Sequence, residues 1–314
     1  MSLKVFFEVV EIKTKVASLF PFLIGVLFSL TFFKEVHIGY TLLFFVGMLL
    51  FDMTTTAINN YMDFEKAQSE EYKYQENVIG REQLAPSQVR QLIFLMLGLA
   101  AVIGFVLSWL TGWLLLIMGG AVCLIGIFYT FGPIPLSRMP LGEIFSGVTM
   151  GLGIFAITIY INTVNQHVFF LDIDWQAGQF GLTGNLWGVL AMILASLPMV
   201  FTIANLMLAN NLRDLETDIK NHRYTLVYYI GRKQGIGLFQ LLMYSCYAVI
   251  LLGLVTGVYR WPILIVFASF PLIYKNVKAH QASLPHPRSF GYAIKNMILF
   301  NGFYALGLLL SVFL

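Results

Sequence analysis

Long apolar runs constrain this chain more than any other feature. A bilayer hydrocarbon core about 30 Å thick needs roughly 20 apolar residues for each helical crossing. Nine runs of this kind occur, at 16–33, 38–58, 92–109, 112–131, 142–164, 187–209, 236–257, 261–276 and 293–314. The chain is 58% hydrophobic and only 11% charged, far from the composition of a soluble domain. We therefore predict an all-α polytopic membrane protein with nine transmembrane helices, forming a single domain over 1–314.

The basic residues predict the orientation of these helices. If the N-terminus is inside, 17 of the 19 Lys and Arg residues lie on the inner side, and only Lys34 and Arg260 lie outside. Tryptophan prefers the membrane–water interface, and all five tryptophans fall near the outer ends of helices in this arrangement. We expect a cytoplasmic N-terminus and an outer C-terminus in the cytoplasmic membrane. Topology and anionic lipid then explain the net charge of +3 without a nucleic-acid partner.

Two similar polar strings form an internal repeat, at 59–71 and 210–223, where helices two and six are predicted to reach the inner side. In each string an Asn precedes an Asp by four residues, a spacing that puts both side chains on one helical face. The second string adds an Asp four residues further on. The first has a Glu seven residues beyond its Asp, which would return to the same face. The candidate metal ligands are Asn59, Asp63 and Glu70 in the first string and Asn210, Asp214 and Asp218 in the second.

The oxygen-rich side chains of these strings predict a metal site. Asn and Asp also cap helices, but capping accounts for one such residue and not for two spaced copies in a charge-poor chain. Ionisable groups near membrane depth are costly and usually functional. Carboxylate and amide oxygens suit Mg²⁺, which typically takes one or two carboxylates together with substrate phosphates and water. We predict Mg²⁺ as cofactor and a phosphorylated ligand, with Asp63, Asp214 and Asp218 as the catalytic carboxylates.

Basic side chains of the inner segments provide cations for the phosphate oxygens. Singly each one is explained by topology, but as a set facing two acidic stripes they predict a diphosphate pocket. A lipid diphosphate, with its tail between the helices and in contact with membrane lipid, fits such a site. Metal ions make diphosphate a leaving group, and aromatic faces stabilise an allylic cation. The candidate cations are Arg81, Arg138, Arg213, Lys220 and Arg223.

Two longer segments resemble those of a known family. NNLRDLETDIKNHRYTL at 210–226 is similar to the pattern NN-x-RD-x3-D-x3-GK-x-TL, and YTFGPIPLSRMPLGEIF at 129–145 is similar to a YTGGP…LGE segment. With paired motifs after helices two and six of nine, the whole chain resembles the UbiA superfamily of intramembrane aromatic prenyltransferases. It looks most like the branch that acts on 1,4-dihydroxy-2-naphthoate in menaquinone synthesis.

This resemblance implies an activity and residue roles. The Asn and Asp residues of both strings would organise Mg²⁺ and the diphosphate, and Arg213 and Arg223 would contact phosphate. Tyr129 and Arg138 would lie beside the allylic diphosphate, and Glu143 would belong to the acceptor side. The implied reaction transfers a polyprenyl group from polyprenyl diphosphate to 1,4-dihydroxy-2-naphthoate, an aromatic acid. It gives demethylmenaquinone with loss of CO2 and diphosphate.

The sequence departs from the family pattern in three places. The last Asp of the first motif is replaced by Ala or Ser with two Glu beside it. Gly-Lys of the second motif is His-Arg, and the first Gly of YTGGP is Phe. These departures leave the chemistry intact and the acceptor open. The positions are Ala67, Ser69, Glu70 and Glu71, then His222 and Arg223, then Phe131, with Gly132 retained.

Other functions remain open at this point. The acceptor could instead be 4-hydroxybenzoate, another phenol or haem, or the product an ether lipid. A transporter is the rival class, although transporter sites usually lie near the bilayer midplane on broken helices. Asp52 lies about 10 Å before Asn59 on the same face of helix two. Either Asp52 contacts the acceptor or it pairs with a polar group across helices, and we favour pairing.

Overall fold

The computed structural model describes residues 1–67, 69–130 and 136–314. Helices account for most of this part of the chain, joined by short connections. Three stretches, at Ser29–Phe33, Tyr72–Glu76 and Gly147–Gly153, are π-helical. The α-helices are α1 (Leu3–Val9), α2 (Val16–Phe28), α3 (Ile38–Lys66), α4 (Val78–Arg81), α5 (Pro86–Thr111), α6 (Leu114–Thr130), α7 (Gly142–Ser146), α8 (Ile154–Asn162), α9 (Leu186–Lys220), α10 (Leu226–Val255), α11 (Phe270–Ser283) and α12 (Arg288–Phe313).

Eight helical segments of the described chain are long and apolar enough to cross a membrane. A shorter apolar helix, Leu114–Tyr129, lies where the fourth crossing is predicted. The protein is therefore a multi-pass membrane protein, as its apolar runs predict. The eight segments are Ile12–Phe33, Ile38–Lys66, Pro86–Thr111, Gly142–Asn162, Leu186–Lys220, Leu226–Val255, Trp261–Ser283 and Arg288–Phe313.

Both polar strings begin on helices and not in loops. The helices extend beyond the apolar runs at 38–58 and 187–209, since α3 runs to Lys66 and α9 to Lys220. In α9 the apolar stripe continues beyond the run at 187–209, with Leu208 and Leu212 fully buried one turn apart. The helical spacing of the Asn and Asp side chains is therefore preserved up to these ends.

A short β-hairpin departs from the all-α prediction. Strands β1 (Phe169–Asp174) and β2 (Gln179–Gly184) pair antiparallel between α8 and α9. Sequence reasoning missed them because the segment lies outside the apolar runs on which the prediction rested. Next to the hairpin, Trp175 contacts Trp113 edge-to-face at 6.5 Å, which joins two of the predicted interfacial tryptophans.

The helices form a tight core on one side and enclose a cavity on the other. The largest buried cluster contains residues of α2 and of every α-helix from α8 through α12. Glycines allow the π-helical stretch Gly147–Gly153 to approach α9. A Cβ on Gly151 would lie 2.6 Å from the Val200 nitrogen, and a Cβ on Gly147 would lie 2.7 Å from the Val200 oxygen. By contrast, only 22% of the apolar stretch of α3, and of α5, is buried. Other residues of these two helices line the cavity described below.

Candidate active site

The C-terminus of α9 folds the chain back onto the second polar string. The Arg223 N–H donates to the Asp218 carbonyl at 2.8 Å, and the His222 N–H donates to the Ile219 carbonyl at 3.2 Å. These two bonds are those of a Schellman motif, which needs a left-handed residue after the cap. His222 has that conformation, with φ of 54°. The Arg223 side chain is thereby carried back beside Asp218.

Arg223 connects the two polar strings. One guanidinium nitrogen, Nη1, lies 3.5 Å from Asp218 Oδ1, and the Asp218 residue is only 3% exposed. The same guanidinium lies within electrostatic reach of Asp63 of the first string, as do Arg138 and Lys66. Carboxylates that lie 155 positions apart in the sequence therefore share a cation at one end of the bundle.

The groups around Arg223 leave polar atoms free in the way a metal–diphosphate site requires. Asp218 Oδ2 and Arg223 Nε are buried and have no hydrogen-bond partner among the described residues. Buried polar atoms are normally paired, so an unpaired acceptor beside an unpaired donor indicates a ligand. A carboxylate oxygen suits Mg²⁺ and a guanidinium N–H suits a phosphate oxygen. The donor set at this position fits both groups.

Arg138 is held against the same loop. Its carbonyl accepts from the Tyr224 N–H at 3.2 Å, and Arg223 Nη2 lies 3.5 Å from the carbonyl oxygen of Ser137. The Arg138 side chain is exposed, and its charge acts on Asp63. Arg138 is thus brought to the site that its sequence position suggested, although the segment 131–135 before it, with Phe131 and Gly132, lies outside the described residues.

Arg213 is paired within the second string. Its guanidinium donates to both carboxylate oxygens of Asp214 and, at 2.6 Å, to Asn210 Oδ1. These bonds engage Nε and Nη2 of Arg213, while Nη1 takes no part in them, and the predicted contact of Arg213 with phosphate stays a prediction. The same contacts engage two of the predicted metal ligands, which leaves Asp218 as the carboxylate of this string with an open oxygen.

Glu143 supports the second string from α7. It is 4% exposed and accepts from Asn211 Nδ2 at 2.8 Å. Tyr129, at the end of the short apolar helix, lies within electrostatic reach of Glu143 and Arg223. Its hydroxyl also lies 3.5 Å from the Gly142 carbonyl. These contacts place Glu143 against the helix that carries the site, and its second carboxylate oxygen, Oε2, is buried without a hydrogen-bond partner among the described residues.

Three predicted residues are not brought to this centre. Arg81 pairs with Glu8 and Glu82, which occupy its guanidinium. Glu70 is exposed, and because α3 ends at Lys66 the helical spacing that would return it to the Asp63 face is broken. Lys220 is exposed and stands two residues beyond Asp218, about 200° around the helix.

The described residues contain no group of three or more His, Cys, Asp or Glu side chains placed to hold a metal by themselves. The six predicted ligands are thus not gathered into one cage. Mg²⁺ commonly keeps several waters and binds through one or two carboxylates plus substrate phosphates. The two strings match that pattern of shared coordination, in which the diphosphate supplies further oxygens.

A cavity of about 620 Å³ leads away from this end of the bundle. Asn59 and Tyr129 line one end of it, and Ser108 and Leu115 line the other. Between these two ends the cavity walls include residues of α3, α5, α6 and the π-helical stretch Gly147–Gly153, and they are largely apolar. Glycines widen the cavity, because a Cβ on Gly119 or Gly120 would meet no atom within 4 Å.

Sequence reasoning missed several residues near the site. Burial raises the pKa of the Tyr72 phenol, and the negative charge of Asp63 raises it further, so this tyrosine lies close to the first string. Lys15 pairs with Asp52 across helices, so Asp52 has the polar partner that one of its two interpretations expected, and both residues also line the cavity. Nothing in the spacing of the sequence could reveal Tyr72. Lys15 had been assigned only to topology.

A bundle of membrane helices with paired Asp/Arg groups at the mouth of an apolar cavity is the architecture of an intramembrane prenyltransferase. The profile of the UbiA prenyltransferase family matches residues 18–294. The chain belongs to this family, and it is a prenyltransferase.

Relatives of known name or structure agree with this assignment. The chain is 27% identical to the 1,4-dihydroxy-2-naphthoate octaprenyltransferase of Bacillus subtilis (strain 168), over 99% of this chain and 94% of that protein. Its fold resembles a UbiA homologue from Aeropyrum pernix K1 (14% identity, TM-score 0.67, 94% of this chain and 98% of that one). It also resembles a UbiA homologue from Archaeoglobus fulgidus bound to DMAPP and Mg²⁺ (11% identity, TM-score 0.62, 96% and 98% covered).

Proposed function

We propose that the protein transfers a polyprenyl group from its diphosphate to 1,4-dihydroxy-2-naphthoate. The products are diphosphate, CO2 and the quinol form of a demethylmenaquinone. The observation that carries this proposal is Arg223, whose charge acts on carboxylates of both polar strings at the mouth of the apolar cavity. The naphthoate as acceptor is supported by the Bacillus subtilis relative and by the motifs of the second string.

The two polar strings hold the diphosphate. Asp63 and Asp218 would bind Mg²⁺, with Asn59 at the cavity wall beside them, while Arg223 and Arg138 would donate to phosphate oxygens. Bound Mg²⁺ would neutralise the diphosphate and make it a better leaving group. Arg213 would keep Asp214 and Asn210 oriented, and its release from Asp214 would open a second carboxylate to the metal.

The apolar cavity receives the prenyl chain. Its walls exclude water from the allylic carbon, which prevents hydrolysis of the cation that forms when diphosphate departs. Aromatic side chains at the wall, including Phe51 and Phe145, present π faces that stabilise positive charge. The electron-rich ring of the acceptor then attacks the allylic carbon.

We further propose nine membrane crossings, with Leu114–Tyr129 as the fourth, and a cytoplasmic N-terminus in the cytoplasmic membrane. The excess of Lys and Arg on one side of the bundle supports this orientation. The active site then faces the cytoplasm. There the water-soluble aromatic acid enters, while the prenyl diphosphate and the product stay in the bilayer.

Purified protein in detergent tests the proposal. It would be incubated with Mg²⁺, prenyl diphosphates of several lengths, and either 1,4-dihydroxy-2-naphthoate or 4-hydroxybenzoate. We expect a prenylated, decarboxylated naphthoquinol and release of diphosphate. Turnover of 4-hydroxybenzoate but not of the naphthoate at any chain length would overturn the acceptor assignment. Transport of a prenyl diphosphate in liposomes without chemical change would instead favour the transporter.

A further inference from the structure

A buried ion pair stands in the wall of the apolar cavity. Lys15 is 5% exposed, and its ammonium donates to Asp52 Oδ1 at 2.7 Å and to Thr56 Oγ1 at 2.5 Å. The Ser18 hydroxyl donates to the other carboxylate oxygen, Asp52 Oδ2, at 2.5 Å. Lys15, Ser18, Asp52 and Thr56 all line the cavity.

This pair is separate from the diphosphate groups yet shares their cavity. Asp52 lies seven residues before Asn59 on α3, about 10 Å along the helix axis. Asn59 lines the same cavity, so the pair stands further into it than the diphosphate end. A molecule held at the pair therefore lies along the cavity wall, within reach of a prenyl chain that enters beside Asn59.

Fold stability does not explain the pair. Removing two charges from water costs several kcal/mol, and a well-packed apolar pair in the same place is often as stable or more so. Asn and Gln side chains would fill the same space without charge. Charged groups retained inside the membrane are by default functional, so the pair calls for a ligand with complementary groups.

The charges of the pair select the kind of ligand. Lys15 and Asp52 together are neutral, so they do not attract a polyanion such as diphosphate, and the carboxylate repels it. A ligand that carries both a carboxylate and a hydroxyl complements them. The carboxylate accepts from Lys15 in place of the neutral Thr56 oxygen, and the hydroxyl donates to Asp52. Hydroxylated aromatic acids have this combination.

We propose that Lys15 and Asp52 form the recognition site for the acceptor, an aromatic acid bearing a ring hydroxyl. This inference rests on the proposed function and assigns its acceptor subsite. A hydrogen bond from the ring hydroxyl to Asp52 raises the electron density of the ring that attacks the allylic carbon. Glu143, the residue expected on the acceptor side, hydrogen-bonds Asn211 and is absent from the described lining of the cavity.

The test compares two acceptors, 1,4-dihydroxy-2-naphthoate and 1,4-dihydroxynaphthalene, which lacks the carboxylate. The double variant Lys15→Met/Asp52→Asn removes both charges together, so no unpaired charge remains buried. Since a hydrogen bond to a charged group contributes about 1.5–3 kcal/mol, we expect its loss to raise the KM for the naphthoate about 10- to 150-fold. The KM for prenyl diphosphate should stay within about twofold. Wild-type protein should prefer the naphthoate, and the variant should lose that preference.

A matched control is available on the surface. Glu216→Gln/Arg232→Gln removes an ion pair between α9 and α10 outside the cavity, and it should leave the preference between acceptors unchanged. An equal loss of activity on both acceptors in Lys15→Met/Asp52→Asn would mean a structural role and would overturn the inference. So would an unchanged preference. Failure of wild-type protein to turn over any aromatic acid would instead overturn the proposed function, and the inference with it.

Discussion

Replacing Arg223 with Gln should raise the affinity of the protein for free Mg²⁺ and lower kcat/KM for prenyl diphosphate. Arg223 lies 3.5 Å from Asp218 Oδ1 and within electrostatic reach of Asp63. A unit charge at about 4 Å contributes about 1 kcal/mol in a water-like dielectric and about 4 kcal/mol at an effective dielectric of 20. In the free protein this charge opposes a metal ion at the carboxylates. With prenyl diphosphate bound, the same charge is attractive.

The magnitudes follow from these two roles. Loss of a hydrogen bond from a charged donor costs about 1.5–3 kcal/mol, so kcat/KM for prenyl diphosphate should fall about 10- to 150-fold in Arg223→Gln. Mg²⁺ added without diphosphate should bind at least about fivefold more tightly, because a repulsion of at least about 1 kcal/mol has been removed. Arg223→Lys, which restores the residue of the family pattern, should stay within about threefold of wild type in both measurements.

Isothermal titration of the detergent-solubilised protein with Mg²⁺ gives the affinity for the metal. The rate of diphosphate release gives kcat/KM for prenyl diphosphate. Circular dichroism and gel filtration would establish that each variant is folded. The reasoning is refuted if metal and diphosphate binding weaken together in a folded Arg223→Gln variant. That result would mean that Arg223 holds the loop after α9 and does not contact the ligand.

Three further changes test other parts of the structure. Gly120→Leu should shorten the longest prenyl diphosphate accepted, as judged by product mass, because the larger side chain fills open cavity space. Gly120→Ala should leave that length unchanged, and equal chain-length profiles in the two variants would contradict the prediction. His222→Gly should raise stability by about 1 kcal/mol, seen as a higher midpoint of thermal unfolding, since glycine adopts the left-handed conformation without strain; an unchanged or lower midpoint would argue against it. Gly151→Leu should lower the midpoint strongly, whereas Gly98→Leu, on an open face of α5, should not; equal effects would refute the close approach to Val200.

The membrane fold and the location of the second string could be predicted from the sequence because their signals are periodic. Apolar runs of crossing length and a four-residue spacing of Asn and Asp depend only on helix geometry. The exact helix ends were not predictable, since the polar residues beyond 209 hide the stripe of Leu208 and Leu212 that keeps α9 helical. Asp218 lies on α9 as the four-residue spacing predicts, and it is buried there.

The spacing of residues in the sequence could not predict which side chains form ion pairs between distant segments. Arg81 had the right residue type and the expected side of the membrane, but Glu8 and Glu82 lie closer to it than the two strings do. From the sequence, Lys15 was explained only by the excess of basic residues on the inner side of the membrane. In the structure, α3 places Asp52 beside it. Such pairings depend on which helices are neighbours, and the spacing of residues in one sequence does not reveal that.

Asp63 and Asp218, from two distant strings, are proposed to hold one Mg²⁺-bound diphosphate. Calorimetric titration with a non-hydrolysable prenyl thiodiphosphate, with and without Mg²⁺, tests this proposal most directly. Wild-type protein should bind the analogue only with Mg²⁺, and Asp63→Asn and Asp218→Asn should each lose that metal-dependent binding while remaining folded. Metal-independent binding, or binding unchanged in either variant, would contradict the account.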